Sequence, residues 1–129
     1  MIIAWVLFTS TGVLISRYYK FLIGDQRILK YNIWFALHAP VMILVALISI
    51  AALLIILSAR RWSWVNADEQ PLEFAHSIFG IVTIGLSVIQ VALGLLRPSL
   101  EHPKRFIFNL VHRLFGISAF IFSGINQTS

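Results

Sequence analysis

The chain is 129 residues long, 59% hydrophobic and 12% charged, with a mean hydropathy of +0.88 and no cysteine. Soluble domains run nearer half apolar and a quarter charged, so a soluble enzyme, a disordered tail and a disulfide-stapled secreted domain are excluded. Without thiols, Fe–S clusters, thiolate zinc sites and thiol redox chemistry go as well. The net charge of +5 could suggest nucleic acid, but the basic residues stand between apolar runs. Membrane proteins distribute charge that way, so the expected class is one integral membrane domain over residues 1–129, with the lipid bilayer rather than nucleic acid as its partner.

Four apolar segments follow in chain order, at about 1–16, 34–57, 74–96 and 106–125. A spanning helix needs roughly 20 residues to cross a hydrocarbon core about 30 Å thick. The last three meet that length. The first falls short, yet it begins fully apolar, and no basic stretch or small-residue cleavage site marks a signal peptide. It reads as a helix cut at its N-terminus. The expected fold is an all-α, integral membrane four-helix bundle. Pro40 is read as a first-turn proline, where a missing N–H does no harm.

Loop one, residues 17–33, carries Arg17, Lys20, Arg27 and Lys30, and loop three, residues 97–105, carries Arg97, Lys104 and Arg105. Loop two carries only Arg60 and Arg61, against Asp68, Glu69 and Glu73. The positive-inside rule puts loops one and three in the cytosol and the N-terminus outside, in a multi-pass topology. Tyr18, Tyr19, Tyr31, Trp34, Trp62 and Trp64 cluster at segment ends, as interfacial anchors do.

Helices in lipid associate through small and polar residues, so stripes of them predict the buried faces. The third segment offers His76, Gly80, Thr83, Ser87, Gln90 and Gly94 at helical spacing. In the fourth, His112, Gly116, Ala119 and Ser123 repeat the pattern. His38, Met42, Val45, Ser49 and Ala52 form a weaker version in the second, and Thr9, Gly12 and Ser16 are the candidates in the first. Gln90 reads as a bridge between helices.

Three helices thus place one histidine each on an inward stripe. Intramembrane histidine is expensive and functional by default. Zinc would want carboxylates or thiolates at ligand spacing, and a proton relay an intramembrane Asp or Glu; the segments have neither. His38 and His112 enter from the same side to similar depth, which suits bis-His ligation of a haem iron. His76 lies near the opposite surface, roughly 20 Å away along the normal, where it would serve a second haem. Its partner should come from the start of the first segment, and no histidine stands there. His76-x-x-x-Gly80 and His112-x-x-x-Gly116 place a glycine one turn from each ligand, where a flat macrocycle could lie close. His102, in the loop, reads as solvated.

The ordered run of Ala4-Trp5, Arg17-Tyr18-Tyr19-Lys20, Trp34-Phe35-Ala36-Leu37-His38, His76 to Gly80, Gln90, Leu96-Arg97-Pro98 and Arg105-Phe106-Ile107-Phe108-Asn109 leading to His112 and Gly116 resembles the cytochrome b561 family. The likeness is to its ferric-chelate reductase 1-like, DOMON-associated branch, and it covers nearly the whole chain. The resemblance implies haem b on four helix histidines, the first paired with the third and the second with the fourth. His38 then pairs with His112, His76 matches the third position, and the first ligand falls upstream of Met1, leaving the second site without its partner. It also implies transmembrane electron transfer from a cytosolic donor such as ascorbate to a ferric chelate or monodehydroascorbate. The alternative is a truncated, haem-poor, non-catalytic partner or regulatory subunit, in a homo- or hetero-oligomer. Lys20, Lys104, Arg105 and above all Arg113 are the candidates to meet haem propionates or an anionic donor.

Overall fold

The computed structural model describes residues 4–24, 26–28, 31–99 and 101–128; Met1, Lys30 and the side chain of Lys20 lie outside the described residues. The long elements are all helices. Helix α1 is a continuous series in which wide π-helical turns, Ala4–Thr9 and Ile15–Tyr19, alternate with α-helical stretches, Ser10–Leu14 and Lys20–Leu22. Helix α2 is Ile33–Ala59, α3 is Pro71–Leu95 and α4 is Arg105–Thr128. Three helical stretches, Ile33–Ala59, Pro71–Leu95 and Arg105–Ile125, are long and apolar enough to cross a membrane. The expected all-α membrane class holds.

The boundaries differ instructively. The first helix does not stop at residue 16 but runs to Leu22, because Arg17-Tyr18-Tyr19-Lys20 ends the apolar run without breaking backbone hydrogen bonding. The stop comes at Gly24, whose φ of +62° suits a residue without Cβ. What remains of loop one holds a short antiparallel ladder that the sequence did not suggest. In it β1 (Arg27–Ile28) pairs with β2 (Tyr31–Asn32), with Arg27 opposite Asn32. Pro40 sits in the interior of α2 rather than its first turn. Its ring nitrogen cannot donate to the carbonyl of Ala36, one turn back. Pro71 does open α3, where proline is preorganised for a helix, and Glu73 follows in the first turn, favourable to the helix dipole.

The chain packs as two compact units, Met1–Ser49 and Ile50–Ser129, with the boundary inside α2. In the first, α1 runs antiparallel to the N-terminal half of α2. Trp5 Nε1 donates to Ser49 Oγ at 3.2 Å, and both side chains are buried, Trp5 at 4% exposure and Ser49 at 0%. Val45 and Ala46 on the same stretch of α2 are also buried. In the second unit α3 and α4 run antiparallel, with Phe79 stacked on Phe122 at 5.8 Å. Thr83, Ile84, Ser87, Ala119 and Ser123 are the buried core there. The small-and-polar stripes therefore do mark packed faces. The opposite faces expose large apolar side chains, among them Leu47, Ile55 and Ile56 on α2 and Leu114, Ile117 and Ile121 on α4, as lipid-facing surfaces require.

Candidate functional site

His38 is the sixth residue of α2. Its Nδ1 lies 2.7 Å from the carbonyl oxygen of Gly12 on α1. A carbonyl can only accept, so Nδ1 carries a proton, and in the neutral imidazole the lone pair then resides on Nε2. The contact depends on close approach of the two helices. A Cβ built on Gly12 would come 2.7 Å from Met42 Sδ and 3.4 Å from Val41 Cγ1. Met42 is one turn beyond His38, so the bare Cα of Gly12 is what brings its carbonyl within reach of the imidazole.

His112, half-buried on α4, is held differently. Its ring stacks almost parallel on Phe108, one turn earlier, with centroids 5.8 Å apart and planes 11° apart. The Arg105 guanidinium lies over the Phe108 ring, 5.7 Å from its centroid, and also donates to the carbonyl of Pro98. The backbone carbonyl of His112 accepts from Gln90 Nε2 of α3 at 2.5 Å. Gln90 thus bridges two helices, as its pattern suggests. Gly116 makes room for that amide: a Cβ there would stand 2.9 Å from Gln90 Nε2. In the structure this helix-bridging amide occupies the space beside Gly116.

The remaining candidates separate. His76 is exposed near the start of α3. Fourteen residues divide it from Gln90, roughly 21 Å of helix rise, so it lies far from the level of His112 within the same unit. The packed face of α3 comes within one turn of it at Phe79, which stacks on Phe122, and the fully buried side chains Thr83 and Ser87 lie further along. Arg113 is exposed on α4 and makes no ion pair among the described residues. Arg97, outside the helices, is half-buried. Burial, and then the neighbouring charge of Arg105, pulls its guanidinium down to about 10, leaving it cationic at neutral pH. His102 is exposed, and its Nδ1 accepts from the backbone N–H of Lys104 at 3.1 Å. That bond uses the Nδ1 lone pair at the start of α4, the reverse of the His38 arrangement.

The profile of the eukaryotic cytochrome b561 family matches residues 1–129. The chain belongs to that family. Among curated proteins it is 35% identical to a putative ferric-chelate reductase 1 homolog of Drosophila melanogaster, over 94% of this chain and 18% of that one. It is 32% identical to ferric-chelate reductase 1 of Bos taurus and 29% identical to that of Mus musculus, in each case over 92% of this chain and 19% of the relative. The chain thus spans about a fifth of the length of these relatives. No solved structure matches it.

Cytochrome b561 proteins bind haem b, and the residues of this chain fit that group. An axial histidine must be neutral, with one nitrogen offering its lone pair and the other anchored to an acceptor, commonly a backbone carbonyl. His38 with Gly12 meets the second part, its Nδ1–H anchored to a backbone carbonyl. Two partners of the ligand candidates, Gly12 and Phe108, were not singled out for those roles from the sequence. Gly12 was visible only as a small residue on the α1 stripe, and Phe108 only as part of the Arg105-to-Asn109 run that leads to His112.

Proposed function

We propose that this chain is a haem-b-binding, electron-transferring membrane domain of the cytochrome b561 family, with His38 and His112 as axial ligands. Bound haem b supplies a one-electron Fe(III)/Fe(II) couple. The residues of the chain supply neutral imidazoles of fixed orientation within an apolar surrounding. The observation that carries the reading is the 2.7 Å contact of His38 Nδ1 with the Gly12 carbonyl, which fixes the tautomer an axial ligand needs.

The likeness to ferric-chelate reductases extends the proposal to a cytosolic donor such as ascorbate, and to a ferric chelate or monodehydroascorbate as acceptor. In this topology the N-terminus is non-cytosolic, and residues 17–33 and 97–105 face the cytosol, where Arg97, Lys104 and Arg105 favour an anionic donor. Arg113 is the less favoured candidate for a haem propionate, since it is exposed. A second reading, a haem-poor non-catalytic partner subunit, draws on the exposure of His76.

The two readings part in vesicles loaded with ascorbate. The electron-transfer reading expects reduction of an external ferric chelate that depends on the protein and on His38 and His112. Haem reduction by ascorbate without transfer to the external acceptor would leave only a haem-binding domain. A folded chain without haem would favour the partner subunit.

A further inference from the structure

This inference rests on the reading of His38 as a haem ligand. We infer that Gly12 is a positioning residue for His38, whose carbonyl sets the tautomer and donor strength of the imidazole and whose missing side chain sets the helix spacing that makes this possible. The Nδ1 to oxygen distance is 2.7 Å, at the short end for such a bond, in partly buried surroundings that strengthen it. A strong acceptor on Nδ1–H pushes electron density onto Nε2, which raises ligand basicity and favours ferric over ferrous iron. Any Cβ at position 12 meets Met42 Sδ at 2.7 Å and Val41 Cγ1 at 3.4 Å, so α1 must move off α2 where the bond spans them, unless Met42 gives way. The bond of Trp5 to Ser49 ties the same two helices independently. A change at Gly12 therefore lengthens one hydrogen bond without undocking the helix.

The test uses the full chain as wild type, Gly12→Ala, Met42→Ala and the double variant Gly12→Ala/Met42→Ala. Haem content, midpoint potential and the ferric EPR spectrum are measured on each, with helix content checked by circular dichroism. The couple of interest is the one abolished by His38→Ala. Gly12→Ala is expected to keep its helices and weaken the ferric preference about tenfold, a rise of 59 mV for a one-electron couple. In the double variant, truncating Met42 makes room for the new Cβ and returns the potential toward wild type. Loss of haem from Gly12→Ala that the double variant restores supports the same account. An unchanged potential and EPR spectrum in haem-loaded Gly12→Ala would overturn it. So would a shift or a haem loss that Met42→Ala does not reverse. A wild-type chain that binds no haem refutes instead the assignment of His38 as a ligand.

Discussion

The two ligand candidates are held by different means, and each unit shows one of them. In the first unit His38 is anchored through a ring nitrogen, by the backbone carbonyl of Gly12, whose missing side chain leaves room for Met42. In the second, His112 is steadied through its ring face by Phe108 and through its peptide carbonyl by Gln90. Anchoring a ring nitrogen fixes a tautomer and tunes electron donation. Stacking a ring and fastening its backbone fix orientation and leave donation to the rest of the surroundings. Changes around His38 should therefore appear in redox properties, and changes around His112 in stability and ring geometry.

The largest effects should come from the proposed ligands themselves. His38→Ala and His112→Ala are each expected to remove most bound haem from protein whose helix content is unchanged. His76→Ala should remove less than His112→Ala, because His76 is exposed while His112 sits on a packed face; equal losses would erase that distinction.

Phe108→Leu comes next. It keeps the volume apolar but removes the stack, and about 1 kcal/mol of stability should go with it, measured by unfolding in detergent. Its ferric EPR spectrum should broaden while the potential moves little, the opposite of the Gly12→Ala signature. Smaller again, Trp5→Phe and Gln90→Leu each delete one interhelical hydrogen bond, worth on average about 0.6 kcal/mol inside a membrane. Gln90→Leu should fall at the low end, since it also removes Oε1, a buried acceptor with no hydrogen bond among the described residues.

Thr83→Val should do least. Thr83 is 2% exposed and its Oγ1 has no partner among the described residues, so an isosteric apolar side chain there is expected to be neutral or slightly stabilising. A clear loss of stability in Thr83→Val would mean that the hydroxyl has a partner in the working protein.

Much of this was legible in the chain. The helices of α2, α3 and α4 follow from hydropathy, because lipid admits little else. The packed faces follow from small and polar residues at helical spacing, as the burial of Gly12, Thr9, Ser49, Thr83, Ser87, Ala119 and Ser123 shows. Gln90 was legible for the same reason.

Other features were not. The true end of α1 was hidden because a run of charges ends an apolar stretch without ending a helix. The role of Gly12 was hidden because its acceptor is a backbone carbonyl, which every residue has, and its partner lies 26 positions away. Gly116 gave no sign of Gln90, because a glycine on a packed face reads alike whether a cofactor or a neighbouring amide lies beside it.

The central claim is that His38 and His112 hold haem b. A reduced-minus-oxidised visible spectrum of the purified chain, with haem counted per polypeptide in wild type, His38→Ala and His112→Ala, tests it most directly. The account predicts a low-spin b-type spectrum in the wild type, reducible by ascorbate and largely lost in both variants. A folded wild type without haem, or full haem retained in either variant, would contradict it.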